Sequence, residues 1–490
     1  MAIFWVTSLL VLLVTVAYVW FNDEKLNSIP PELVKLTSNR WSPGFMKRAL
    51  QKAKDEKTPF RRENLPARTG RRYVVVGGAG FLGQCIVRQL LERGEDPLKI
   101  RVLDVQPPKS PSVGFVKVDI SDPKAVDAAF GEPWPPEVEL ESELTVFHTA
   151  AVIRFWERHT SLLHLSSKVN VEGTRNIMDA SIKAGASVLL YTSSSAVGTF
   201  PTKMFMWPWE SYARRKGGVQ VMRDGMTLPR DEDQFSAYAL TKLMAERMVL
   251  GADRSVSGSG SGTSSQGKVL RTGALRPGGI IYGPGDKMLI ERFVANETNV
   301  TFSPNTVIAS IYVENCSLAH LLYEQRLIGI QGQTRGGVGG VQSHDSEVKK
   351  NMDIGGQAFF VTDPGPPPTT LDHHNLATIV SGGKMQTKLI SPTLITAIAH
   401  LVEWYYLSRV NLEKSQRYKW ACRFMPKLSG TIVMVQPSTL VTACSHLYID
   451  DERARRRVEE GGLGYRGLCE TIEGVCRSIL DEQEAQGKRV

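Results

Sequence analysis

Tyr238 and Lys242 stand in the run Tyr-Ala-Leu-Thr-Lys. Four-residue spacing puts both side chains on one face of a helix. A phenol with a pKa near 10 is a poor base at neutral pH. A neighbouring ammonium stabilises the phenolate, lowers that pKa, and can also hold a ribose. Upstream, Leu190–Val197 (Leu-Tyr-Thr-Ser-Ser-Ser-Ala-Val) reads as a strand ending in three consecutive serines. One of these hydroxyls can hold an alcohol or ketone oxygen against the tyrosine. Tyr-x-x-x-Lys alone recurs by chance, and a mid-helix tyrosine often only packs.

A second motif gives the pair a context. The short apolar run Tyr73–Val76 leads into Gly77-Gly78-Ala79-Gly80-Phe81-Leu82-Gly83, followed by a helical stretch, Gln84–Arg93. Glycines at a strand-to-helix turn let the backbone approach a pyrophosphate, and the helix N-terminus supplies N–H donors. The spacing through Gly77, Gly80 and Gly83 is G-x-x-G-x-x-G. Asp104 closes the next run, Ile100–Leu103, 21 residues after Gly83. A carboxylate there accepts hydrogen bonds from the adenosine ribose and repels a 2′-phosphate, and no Arg follows at 105–108. Both features favour NAD over NADP. Asp119 follows the run Phe115–Val118 and is placed either to reach an adenine amino group or to form a turn.

These residues need a scaffold of alternating elements. Further strands are expected at Thr145–Thr149, Val188–Tyr191 and Val269–Leu275, with helices between them. The pattern predicts an α/β fold, a Rossmann-type doubly wound parallel sheet with helices on both faces. Ser255–Gly267 and Gln331–Lys350 are Gly-rich and polar and read as surface loops. The C-terminal third carries short strands, an apolar helix near 391–408 and a final helix, Cys469–Glu484. The expected division is a transmembrane anchor over 1–21, a basic juxtamembrane linker over 22–71 with some helix around 42–56, a nucleotide-binding domain over 72–290, and a smaller substrate lobe over 291–490.

The chain has 490 residues, 42% of them hydrophobic and 22% charged, which excludes wholesale disorder. Ala2–Phe21 carries no charge, and a helix of that length spans about 30 Å, the thickness of the hydrocarbon core. A signal peptide would show a basic n-region and a small-residue cleavage site, and neither is present, so the segment reads as an uncleaved anchor. Residues 23–72 hold 13 Lys/Arg against 6 Asp/Glu. The positive-inside rule then leaves the bulk of the chain in the cytosol. This basic run lies beside an apolar helix, which points to a membrane and away from nucleic acid. The six cysteines form no C-x-x-C pair, so no disulfide scaffold or zinc ribbon is expected. His373-His374 lack partners at metal-ligand spacing and are expected in a loop. His148 reads as a strand residue beside the cofactor, and the Arg453–Arg457 run as a solvated helix face.

Taken together, these motifs resemble the extended short-chain dehydrogenase/reductase superfamily over about residues 72–480. Within it, the sequence is similar to the 3β-hydroxysteroid dehydrogenase family, which includes the decarboxylating sterol-4α-carboxylate 3-dehydrogenases. Phe147-His-Thr-Ala-Ala151, Val169–Asn176, Tyr191-Thr-Ser-Ser194, Leu275–Asp286 and Ile311–His320 carry the resemblance. The resemblance implies that Ser194, Tyr238 and Lys242 are catalytic. It also implies that Ala150, Ala151, Asn170 and Pro277 line the cofactor along with Phe81 and Leu82. Glu314 and Cys316 depart from the residues usual in the family, and residues 201–230 match nothing in it.

The activity so implied is NAD-dependent oxidation of a 3β-hydroxyl on a sterol or triterpenoid, with loss of a C4 carboxylate as CO2. No metal is expected, and a homodimer is. The anchor and an apolar substrate together suggest the endoplasmic reticulum membrane, crossed once. The rival readings are a 3β-hydroxysteroid dehydrogenase/Δ5–Δ4 isomerase, a specialised triterpenoid or meroterpenoid dehydrogenase, a nucleotide-sugar epimerase, and a non-catalytic NAD-binding scaffold.

Overall fold

The computed structural model describes residues 1–37, 41–56, 62–210, 219–257, 267–335 and 352–487. Seven parallel strands form the central sheet: β1 (Arg72–Val76), β2 (Ile100–Asp104), β3 (Gly114–Lys117), β4 (Leu144–His148), β5 (Val188–Thr192), β6 (Arg271–Pro277) and β7 (Gln357–Val361). Their order is β7-β6-β5-β4-β1-β2-β3. The order reverses between β1 and β4, the switch point at which open α/β sheets bind ligands. The sheet is the doubly wound one expected.

The helices used below are α1 (Ala2–Leu26), α2 (Pro43–Asp55), α3 (Phe81–Glu92), α4 (Thr174–Lys183), α5 (Ala237–Gly251), α6 (Val313–Arg335), α7 (Pro392–Lys414), α8 (Pro437–Ala443) and α9 (Thr471–Ala485). Alternation along the strands sorts the core into two layers. Tyr73, Val75, Phe147, Leu190 and Phe359 pack with Ile86 and Leu90 of α3 and with Cys316, Ala319 and Tyr323 of α6. Val74, Val76, Val146, Leu189 and Ala274 face the other way, onto Ile177 and Ala180 of α4 and Ala245 and Val249 of α5.

Several expectations change. The boundary at 290 is crossed, because β7 pairs with β6 at the sheet edge and α6 packs on α3. Gln331–Arg335, read as loop, continues α6. The rest of that Gly-rich stretch, 336–350, and residues 258–266 of the Ser/Gly-rich one lie outside the described residues. The described residues of 22–71, read as a linker, pack onto the fold. Leu26, Leu33, Trp41, Met46, Ala49 and Ala53 are buried, α2 lies against α9, and Lys52 pairs with Glu473 at 2.6 Å.

His373 and His374 sit on the helix Thr370–Val380, not in a loop. There they pack edge-on against Trp41 and Phe293. The arginine run is not merely solvated. Arg455 chelates Asp451 and donates to the Thr362 and Asp363 carbonyls, and Arg453 covers the Phe359 ring at 4.1 Å.

α1 is fully exposed from Ile3 to Ala17 and is long and apolar enough to cross a membrane. Its last turns dock. Asn22 donates to the Met204 carbonyl at 3.0 Å and to Thr393 Oγ1 at 2.7 Å, and Leu26 joins Met204, Phe235, Ala399 and Leu440 in one cluster. The unaligned segment thereby forms the seat of α1; residues 211–218 within it lie outside the described residues.

Candidate active site

The C-terminal ends of β1, β4, β5 and β6 open into a cavity of about 2060 Å³. At its floor β1 turns through Gly77 into α3. Gly77 has φ +78°, and a Cβ there would come within 2.7 Å of the Ala150 nitrogen. A Cβ on Gly83 would sit 2.1 Å from the Gly77 carbonyl oxygen. Both positions therefore require glycine, one for its conformation and the other for close helix–strand contact. α3 begins at Gly80 with no side-chain cap, so its first-turn N–H groups stay free for an anion. Asp104 Oδ2 accepts from the Ala79 N–H at 3.0 Å and Oδ1 from the Gln106 N–H at 3.2 Å. Those bonds fix the carboxylate at the cavity edge. The glycines leave room for a pyrophosphate to approach the backbone, and the fixed carboxylate can accept hydrogen bonds from a ribose.

Gly77, Gly80, Phe81, Leu82, Gly83, Asp104, Asp119, Ala150, Ala151 and Pro277 all line the cavity. Asp119 also forms a turn, accepting from the Ser121 N–H at 2.9 Å, and this bond holds its carboxyl below the usual range. Asn170 differs from expectation. It is buried behind the wall, on a π-type turn, and does not line the cavity. Its amide accepts from the Val152 N–H at 2.8 Å and donates to the Val152 carbonyl and to Thr241 Oγ1, both at 3.0 Å. It ties the loop after β4 to the helix that carries Tyr238.

Ser236 caps α5, its Oγ accepting from the Ala239 N–H at 3.2 Å. Tyr238 therefore lies in the first turn and Lys242 one turn on, and both line the cavity with Ser194. Ser194 caps the tight turn after β5, its Oγ accepting from Ala196 at 3.2 Å. Its hydroxyl hydrogen remains free to donate. Burial raises the Tyr238 phenol, and the Ser194 hydroxyl opposes that rise. Ser193 and Ser195 are buried; Ser194 is the serine in contact with the phenol.

Lys242 is 2% exposed. Its ammonium donates to the Thr192 carbonyl and lies 4.1 Å from the centre of the Tyr191 ring. Desolvation pulls its pKa down to about 7. His148 lies beneath, out of the cavity. Its Nε2 is 2.9 Å from Thr174 Oγ1, which itself donates to the Asn170 carbonyl at 2.7 Å, so Nε2 carries the proton. Burial and the Lys242 charge lower its pKa to about 3, leaving the ring neutral and structural. Farther out the cavity is walled by Phe235, Phe302, Met434, Thr439 and Thr442.

The family model for the 3-beta hydroxysteroid dehydrogenase/isomerase family matches residues 74–389, more than half of the chain. Among curated relatives, the 3 beta-hydroxysteroid dehydrogenase/Delta 5-->4-isomerase of Vaccinia virus (strain Ankara) is 32% identical over 261 residues. That match covers 51% of this chain and 65% of the viral protein, so the chain spans just under two thirds of that relative's length. The 3-beta-hydroxysteroid dehydrogenase of Mycolicibacterium neoaurum is 28% identical over 433 residues, covering 85% of this chain and 94% of that one. Among solved structures, MoeE5 in complex with UDP-glucose and NAD superposes with a TM-score of 0.51 at 17% identity, covering 85% of this chain and 99% of that one. That likeness is one of fold.

Proposed function

The chain belongs to the 3-beta hydroxysteroid dehydrogenase/isomerase family, and from that premise we propose that it oxidises the 3β-hydroxyl of a sterol or triterpenoid with NAD. The observation that carries this reading is the convergence of Ser194, Tyr238 and Lys242 on one cavity with the glycine cradle and Asp104. The fixed Asp104 carboxylate favours an unphosphorylated ribose, hence NAD.

NAD, when bound, supplies the acceptor for the hydride leaving C3. The chain's residues handle the oxygen. Ser194 donates a hydrogen bond to it and fixes its position. Tyr238, as phenolate, takes the hydroxyl proton. Lys242 holds positive charge beside the developing phenolate and has the reach to hold a ribose hydroxyl. Where the substrate carries a C4 carboxylate, the C3 ketone makes it a β-keto acid. The C4–carboxyl bond then breaks, CO2 leaves, and the electron pair delocalises onto the ketone oxygen that Ser194 and Tyr238 already contact. A proton at C4 completes the step without a metal.

We place the chain on the endoplasmic reticulum membrane, spanned by α1, with the catalytic unit on the cytosolic side. The exposed α1 and the basic residues after it support this. So does α7, which exposes Leu394, Ile398, Leu401 and Trp404 along one side at helical spacing. Glu403 and His400 on the same helix exclude a full span, so α7 lies at the interface. The cluster joining Leu26 of α1 to Phe235 sets the anchor beside the outer cavity wall, where an apolar substrate can enter from lipid.

Products distinguish the chemistries. Detergent-solubilised protein with NAD is given a 4α-carboxy-3β-hydroxysterol or the same sterol without the carboxylate. NADH together with a decarboxylated 3-ketone from the first supports the decarboxylating reading. Turnover of the second alone supports a plain dehydrogenase. A conjugated Δ4-3-ketone from a Δ5 substrate supports the isomerase named for the viral relative. Silence on all of them contradicts the proposal.

A further inference from the structure

His320 lies on α6 and is fully buried, outside the set of residues assigned above. Its Nδ1 is 2.8 Å from the Cys316 carbonyl oxygen. A carbonyl only accepts, so Nδ1 carries the proton. Burial pulls the ring's pKa down to about 4, against the pull of the Cys316 carbonyl, and keeps it neutral. Nε2 is then an acceptor, and Thr192 Oγ1 stands 2.8 Å from it. The Thr192 hydroxyl therefore donates to His320. Phe147 closes the ring's other side, edge-on at 6.4 Å.

Thr192 is the last residue of β5. Its carbonyl accepts the Lys242 ammonium, and Ser193 and Ser194 follow it directly. One hydrogen-bonded chain thus runs from the Cys316 carbonyl through His320 and Thr192 to Lys242. It joins α6, on one face of the sheet, to α5, on the other.

We infer that His320 is a positioning residue: through the Thr192 hydroxyl it fixes the end of β5, and with it the carbonyl that seats Lys242 and the turn that presents Ser194. This rests on Lys242 and Ser194 acting as proposed above. His320 does not line the cavity. Its effect is to hold an acceptor in place so that the ammonium does not have to find one during turnover.

Three single variants and one double variant test this in the full chain. Thr192→Val keeps the shape and the carbonyl and removes only the hydroxyl. His320→Leu removes the acceptor, and His320→Gln returns an amide oxygen near the place of Nε2. NAD affinity is read by calorimetry without sterol, and turnover with a 4α-carboxy-3β-hydroxysterol. T192V and H320L are each expected to weaken NAD binding several-fold and to lower kcat about tenfold, the scale of one lost hydrogen bond to an ordered site. Sterol KM stays unchanged. H320Q is expected to recover most of both losses. The double variant H320L/T192V is expected to be no worse than either single, because the two remove the same bond.

T192V that matches the wild type in NAD affinity and kcat overturns the inference, as do losses that multiply in the double variant. A wild type that binds NAD but turns over no sterol would instead contradict the dehydrogenase reading. In that case the NAD affinities of the four variants still decide the role of His320.

Discussion

Lys242 gives the residue scale its clearest energetic consequence. Burial holds its folded pKa near 7, against about 10.4 for a free lysine. The unfolded chain therefore binds this proton more tightly than the folded one. The cost to stability is full below pH 7 and shrinks as pH rises from about 7 toward 10.4. Lys242→Met is accordingly expected to raise Tm by several degrees at pH 6 and by much less at pH 9, while abolishing turnover. An equal gain at both pH values would show that the ammonium is not desolvated as described. That Tyr238, Lys242, Ser194 and the glycine loop share one cavity was legible in the sequence, because each belongs to a short motif whose spacing carries its geometry. Asn170 was misread for the same reason: the motif gives its position but not the direction of its amide, which turns to Val152 and Thr241. The His320–Thr192 bond, between residues 128 positions apart, has no local signature at all.

At the scale of elements, the strands were legible as short apolar runs, and the burial of β1, β4, β5 and β6 on both faces explains why these do not alternate. α2 was legible as helix near 42–56, but its docking was not. Met46, Ala49 and Ala53 form its buried stripe, and the lysines and arginines around them make the segment read as a solvated linker. α7 and the stretch after it show the converse, apolar side chains left outside. Leu401, Trp404, Trp420 and Phe424 are each 67–74% exposed, and Arg417, Lys419, Arg423 and Lys427 are exposed among them. Aromatic and basic side chains interleaved in this way suit a lipid headgroup layer. Cys422 lies within this stretch and is the one cysteine of the six that is not buried. Bimane attached to Cys422 of the full chain, in vesicles of phosphatidylcholine and phosphatidylserine, is expected to be quenched by doxyl groups carried on the lipids. Quenching only by a water-soluble agent would place this stretch away from the bilayer.

For the whole molecule, the doubly wound sheet followed from alternating elements, but the division into two consecutive domains did not hold. β7 reaches the sheet from beyond residue 350, and α6 covers the face on which α3 packs. The chain therefore folds the substrate side and the nucleotide side around one core, and α1 docks beside the cavity wall through Asn22 and Leu26. Under the proposed function, this arrangement would bring a lipid-borne alcohol and a soluble nucleotide to one tyrosine. The most direct test is NADH formation from NAD and a 4α-carboxy-3β-hydroxysterol by the purified full-length protein and by its Tyr238→Phe variant. NADH and the matching 3-ketone are expected from the wild type, with a loss of at least about a hundredfold in the variant, the scale of a missing general base. Equal rates from the two proteins, or no NADH from the wild type, would contradict a dehydrogenase built on Tyr238.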